Sequence, residues 1–258
     1  MKQLLHARIF GQGPALIILH GLLGTGDNWQ TIAKQLAERY TICLPDLRNH
    51  GKSFHSDDFN FQLMVQDVLE LMESNWMQSA YFIGHSMGGK VAMHLALSEP
   101  DRVDRLLVAD IGVKDYPPGH LQIFQALQSI NLAQLEDRKT AEMQLLDSLK
   151  DNGVVQFLAK NLSRAKDGSF HWKMNLEAII TGYKNIMEGI HTANTFEKPS
   201  LFVRGAQSKY ILDEDFDEIR KCFPNAQFET LVNAGHWLHA DQPAAFLNLA
   251  EKFFEDDV

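Results

Sequence analysis

Six short apolar runs punctuate this chain: Ala15 to Leu19, Thr41 to Leu44, Ala80 to Ile83, Leu106 to Ala109, Leu201 to Val203 and Gln227 to Val232. Each is followed by a turn and a stretch of helical period, and no other feature restricts the fold so tightly. Strands that alternate with helices need crossover connections, and crossovers give a mostly parallel sheet covered on both faces. An α/β chain is expected. Trp29, Ile32, Ala33, Leu36 and Ala37 line one side of a helix that Asp27 would cap, and Phe61 to Met72 repeats the pattern.

The alternation stops between about Asp115 and Thr195. Apolar residues there recur at spacings near three and four: Leu121, Phe124, Leu127; Met143, Leu146, Leu149; Phe157, Leu158, Leu162; and Ile179, Tyr183, Ile186, Met187. The spacing predicts a strandless helical insertion over 115–195 within a core made of 1–114 and 196–258. Core helices of a single domain would show the same stripes.

At 258 residues, 45% of them hydrophobic, the chain can bury one large core. Its 33 acidic against 24 basic residues give a formal charge of -9, which disfavours nucleic acid and anionic membranes as partners. No stretch approaches the ~20 apolar residues of a membrane span, and the start, MKQLLHARIF, lacks the uninterrupted apolar run of a signal peptide. A cytoplasmic protein is expected. Cys43 and Cys222 stand alone, without a metal-ligand pattern, and Cys43 lies in an apolar run that predicts a buried thiol.

Residues 81–93, YFIGHSMGGKVAM, fit two motifs at once. From Gly84 to Lys90 the spacing is that of a phosphate-cradling loop, but the following residue must then offer a hydroxyl to magnesium, and Val91 has none. Lys90 is accordingly expected on a helix surface. Gly84, Ser86 and Gly88 also spell the turn that presents a nucleophilic serine between a strand and a helix, and here a strand precedes and a helix follows. The glycines are needed because side chains there would collide with the helix and the neighbouring strand.

A serine hydroxyl needs a base, usually a histidine held by a carboxylate. His236, in VNAGHWLHADQP after the last strand, falls at the same sheet edge as Ser86, with His239 as its rival. His85 is expected to support the turn and His94 to pack. After the first strand, LHGLLG turns at His20-Gly21, where the Leu22 amide and the Met87 amide are positioned to hold an oxyanion. Asp110 ends the strand LLVAD and keeps the chain order serine, acid, histidine; Asp213 and Asp215 compete, although both also suit a helix N-terminus. In PDLRNHGKS, Asp46 and Arg48 are expected to pair and brace their loop beside His50.

HGLLG, GHSMGG and AGHWLH, in this order from residue 20 to 239, resemble the α/β-hydrolase superfamily. PDLRNHGKS, GHSMGGKVA, DIGVKDY and RGAQSKYI further resemble the YbfF-type bacterial esterases. The resemblance covers nearly the whole chain and implies an eight-stranded sheet with a helical cap inserted after the sixth strand. It also implies hydrolysis of carboxylic esters or acyl thioesters without metal or organic cofactor. Most members carry the acid after the seventh strand, where this chain reads Gly205-Ala206-Gln207-Ser208-Lys209 without a carboxylate; the resembled esterases use the Asp110 position.

The expected reaction is therefore acyl transfer to water by Ser86, His236 and Asp110, on a small acyl ester or thioester. Phe124, Tyr183 and Trp237 are candidate walls for the acyl chain, with Phe157, Trp172, Met174 and Met187 as further apolar material. Other reactions run on the same scaffold, among them carbon-carbon bond hydrolysis, a lyase step and perhydrolysis, and a binding protein with idle catalysis is a separate class. A haloalkane dehalogenase is excluded, because its nucleophile would be an aspartate at position 86.

Overall fold

The computed structural model describes residues 3–255. Nine strands occur among them: β1 (Ala7–Gly11), β2 (Ala15–Leu19), β3 (Thr41–Pro45), β4 (Ala80–His85), β5 (Val103–Ala109), β6 (Leu162–Arg164), β7 (Phe170–Trp172), β8 (Ser200–Gly205) and β9 (Ala226–Leu231). Seven form one sheet in the order β1-β3-β2-β4-β5-β8-β9, parallel except for β1, which runs antiparallel to β3 at the edge. The α/β expectation holds, with seven strands in the main sheet among the described residues where eight were implied.

The central strands are buried on both faces, so their alternate residues feed two cores. Leu16 and Ile18 of β2 join Trp29, Ile32, Leu36, Phe246 and Phe253 on one side. Ile17 and Leu19 join Met64, Val68, Val91 and Leu95 on the other. Helices α1 (Gln30–Leu36), α2 (Phe61–Ser74) and α3 (Met87–Ser98) supply most of these partners from the N-terminal half. Asn60 caps α2 by accepting the Leu63 amide at 3.0 Å. Asp27 does not cap α1: Gly26–Trp29 is a short 3-10 helix preceded by Thr25, and Asp27 instead pairs with Arg8 at 2.8 Å.

Between β5 and β8 lie α4 (Leu121–Ser129), α5 (Arg138–Leu149), α6 (Asn152–Ala159), α7 (Leu176–Thr181) and α8 (Tyr183–Met187), with the β6–β7 hairpin between α6 and α7. The hairpin corrects the expectation of a strandless segment; its strands have three residues each, too few to show a period. On α5 the buried positions are Ala141 and Leu145, one turn apart, while Met143 and Leu146 of the anticipated stripe face solvent. The two chain crossings into this segment are joined by Tyr116 N–H to Met187 O (2.9 Å) and Ile190 N–H to Val113 O (2.7 Å). Helices α9 (Phe216–Cys222), α10 (Leu238–Asp241) and α11 (Pro243–Glu255) complete the chain. No helix among the described residues is long and apolar enough to cross a membrane.

Candidate active site

The carboxyl ends of β2, β4, β5 and β9 converge, which is where open α/β sheets place their ligands. At the end of β4, Ser86 adopts φ 52 and ψ -118, a strained conformation for a residue with a Cβ. It is held there by Ser86 N–H to Ala109 O and Lys90 N–H to Ser86 O, both 3.0 Å. The flanking glycines are a steric requirement: a Cβ on Gly84 would lie 2.5 Å from Gly88 O, and one on Gly88 would lie 2.4 Å from Leu19 O.

Asp110, just past β5, is 0% exposed and also has positive φ, at 53. Its Oδ1 accepts the Gly205 amide at 3.1 Å, and its Oδ2 accepts the Ser208 hydroxyl and, at 2.7 Å, His236 Nδ1–H. With Nδ1 donating, His236 keeps its Nε2 lone pair free to take a proton. The ring is stacked against Tyr210 at 3.9 Å, and His85 Nε2–H donates to the His236 carbonyl at 2.8 Å, which ties the His236 loop to the residue before Ser86. The rival carboxylates are occupied elsewhere: Asp213 pairs with Arg204 at 2.5 Å and Asp215 with Lys114 at 2.6 Å. His239 stacks on Trp29 at 4.0 Å. Ser86 and His236 border one cavity without a direct hydrogen bond between them, a contact that commonly closes only with substrate in place.

The loop after β2 is fixed from three sides. His20 Nδ1–H donates to Gly21 O at 2.8 Å while its Nε2 accepts the Leu47 amide at 2.9 Å. Leu23, at φ 60, donates its amide to His50 Nε2 at 3.1 Å, and its carbonyl accepts Asn161 Nδ2–H at 2.7 Å. His50 Nδ1–H in turn donates to Arg48 O at 2.9 Å. Burial lowers His20 to about 4 and His50 to about 3, so both rings are neutral and each nitrogen has one role. The Leu22 amide between these clamps, and the Met87 amide at the start of α3, have no protein acceptor among the described residues. Gly21 adjoins the serine, since a Cβ there would lie 3.3 Å from Ser86 Cβ.

A family model for the alpha/beta hydrolase fold matches residues 14–243. The chain belongs to the α/β-hydrolase family. It is 37% identical over 248 residues to the sn-1-specific diacylglycerol lipase ABHD11 of Mus musculus, covering 93% of this chain and 80% of that one. It is 33% identical over 242 residues to the Esterase YbfF of Escherichia coli (strain K12), covering 93% of each. A solved structure described as a marine microorganism esterase superposes with a TM-score of 0.95 at 41% identity, covering 98% of this chain and 100% of that one. The resemblance drawn from the sequence holds, and the protein is a hydrolase enzyme.

Several residues of this α/β hydrolase differ from their sequence-based placement. Trp237 lines the cavity of about 290 Å³ that Ser86 and His236 share, as does Phe157. Phe124 and Tyr183 are buried behind the wall, packed edge to face at 4.9 Å, because the turn of α4 directs Ile123 rather than Phe124 to the cavity. Tyr183 acts through its hydroxyl. It accepts the Gly119 and His120 amides, both at 3.1 Å, and so donates its single proton to His120 Nδ1 at 2.6 Å. His120, which the sequence reading passed over, borders the cavity beside Ser86 as a neutral ring lowered to about 4 by burial.

Arg48 does not pair with Asp46. Its Nε and Nη2 meet Asp67 of α2 at 2.6 and 2.8 Å, while Asp46 accepts the Gly26 and Lys52 amides, each at 2.9 Å. Lys90 is 1% exposed rather than on the surface, because α3 is covered on every side. Its ammonium donates to the carbonyls of Val113 (3.1 Å), Lys114 (2.7 Å) and Glu188 (3.0 Å), tying both chain crossings to the helix that begins after Ser86. Burial lowers it to about 7, opposed by the charges of Asp115 and Glu218. His94 stacks on Phe61 at 5.0 Å, and Cys43 is buried.

Proposed function

We propose that this hydrolase cleaves carboxylic esters or acyl thioesters through an acyl-enzyme on Ser86. The observation that carries the reading is the buried Asp110 carboxylate bonded at 2.7 Å to His236 Nδ1, beside a strained serine in the same cavity. As Ser86 Oγ attacks the acyl carbon, its proton passes to His236 Nε2, and Asp110 stabilises the resulting imidazolium. The Leu22 and Met87 amides receive the oxyanion, and their lack of a protein acceptor supports that role. His236 then gives the proton to the leaving oxygen or sulfur, and water repeats the sequence to release the acid. We read 115–195 as a helical cap over a core of 1–114 and 196–258.

The names of its relatives make acylglycerols sensible substrates to include beside simple esters. The test is a panel of p-nitrophenyl esters, acyl-CoA thioesters and acylglycerols, run with wild type and Ser86→Ala, together with labelling by a serine-directed phosphonate. Hydrolysis that falls by on the order of 10⁶ in Ser86→Ala, with phosphonate attached at Ser86, is the expected result. Retention of most turnover in Ser86→Ala would overturn the assignment, and a wild-type Ser86 that resists the phosphonate would overturn the acyl-enzyme.

A further inference from the structure

Two cavities meet at Ser86. One, of about 290 Å³, is bordered by His236 together with Trp237, Phe157, Gln156 and Lys160. The other, of about 240 Å³, is bordered by Met87, Ile111, Ile186, Met187 and Tyr210, and His236 is not among its walls. Leu22 and His120 border both and mark the divide. Resting on the acyl-transfer reading above, we propose that the Met187 cavity holds the acyl chain and the Trp237 cavity holds the leaving group, with a polar alcohol or thiol as the preferred leaving group.

The geometry of the reaction decides which group goes where. The tetrahedral carbon carries four substituents: Ser86 Oγ, the oxyanion, the acyl chain and the leaving heteroatom. The oxyanion is directed at the Leu22 and Met87 amides. When the bond from carbon to the leaving atom breaks, that atom takes its electron pair and must receive the proton that His236 drew from Ser86. It therefore lies on the side of the serine that His236 borders. The acyl chain has the remaining direction, into the cavity that His236 does not reach.

The two linings match these occupants. Two polar groups deep in the Met187 cavity are held by the protein itself, Lys90 by three carbonyls and the Tyr116 hydroxyl by Tyr210 O at 2.7 Å and the Gly112 amide at 2.8 Å, while Lys209 and Tyr210 stand at its border. What it offers a ligand is mainly the aliphatic surface of Ile111, Ile186 and Met187, which suits a hydrocarbon chain. The Trp237 cavity presents Asn28, Gln156, Lys160 and Asp241, groups that can hydrogen-bond a hydroxylated or amide-bearing leaving group.

The test uses two ester series on the intact protein: p-nitrophenyl esters of rising acyl length, and acetate esters of alcohols of rising size. Selectivity is read as kcat/KM ratios within each series. Met187→Trp should lower the long-to-short acyl ratio by about tenfold or more, the effect of one or a few methylenes' worth of space in an apolar pocket. Met187→Ala should move the acyl optimum to longer chains, and keeps the proposal testable if the tryptophan disturbs folding. Neither should change the alcohol ratio, whereas Gln156→Trp, at the exposed side of the other cavity, should change the alcohol ratio alone. The sorting is overturned if Met187 variants alter the alcohol series, or leave the acyl series unchanged. Failure of the underlying reading looks different: the wild type would turn over no member of either series and Ser86 would resist phosphonate.

Discussion

Asp110→Asn changes one atom in the middle of the site and should nearly abolish turnover while leaving the fold in place. The wild-type carboxylate accepts three hydrogen bonds, from the Gly205 amide on Oδ1 and from Ser208 and His236 on Oδ2. An asparagine keeps its carbonyl toward the Gly205 amide, which can only donate. Its NH₂ then faces His236 Nδ1 and Ser208 Oγ, and satisfies both by donating. His236 is thereby forced to carry its proton on Nε2, the nitrogen that accepts the serine proton in the proposed mechanism, and the imidazolium of that mechanism loses its counter-charge. The equivalent exchange in a serine protease lowers kcat by about 10⁴. At about 1.36 kcal/mol per tenfold, that is a barrier increase of roughly 5.4 kcal/mol.

The assay is kcat for a short p-nitrophenyl ester, with a thermal melt to show that the variant is folded. Asp213→Asn and Asp215→Asn serve as comparisons, since their carboxylates are bound to Arg204 and Lys114 and should stay within about threefold of wild type. The reasoning is refuted if folded Asp110→Asn keeps more than about a tenth of the activity, or if either comparison variant shows the 10⁴ loss instead.

Stability should fall as pH drops below about 6.5: His20 and His50 stay neutral in the fold down to about 4 and about 3, whereas the unfolded chain binds protons from 6.5 downward. For His20 alone the loss by pH 4 is on the order of 3 kcal/mol, and urea midpoints that do not fall between pH 7 and 4.5 would contradict it. Arg48→Ala leaves Asp67, only 7% exposed and already pushed up by burial, without its cation; a destabilisation of about 3–5 kcal/mol in urea is expected, partly recovered in Arg48→Met/Asp67→Leu. Lys90→Met strips the donor from three carbonyls and should speed hydrogen exchange of the Tyr116 and Ile190 amides, which join the chain crossings, more than that of β4; equal acceleration everywhere would count against a local tie.

The parts of this molecule that were legible in its sequence are those where one residue's chemistry is decided by its neighbours along the chain. Buried parallel strands are continuous apolar runs, so β2 to β5 and β8 announced themselves, whereas edge strand β9 is mostly exposed and shows only a mixed run, and the Ser86 turn needs glycines at fixed offsets. Edge strand β1 is half-exposed, and His6 and Arg8 break the apolar run at its start. The β6–β7 hairpin had a signal in Asp167-Gly168, where Gly168 takes φ 91, but strands of three residues gave it no support. Lys90 could not be placed because its partners, at 113, 114 and 188, meet only in the folded chain.

The turn after β8 shows how a missing residue and an unexpected one are related. Without a carboxylate, Gly205 to Lys209 looked like a gap in the site. In the fold that turn lies against Asp110 and supplies two donors to it, the Gly205 amide and the Ser208 hydroxyl. A carboxylate at 208 would have set a second negative charge against Asp110 beside His236, where the Ser208 hydroxyl now donates. Placing the acid after β5 therefore calls for a neutral donor after β8, and the absence of an acid at 205–209 is part of the same arrangement that puts Asp110 on His236.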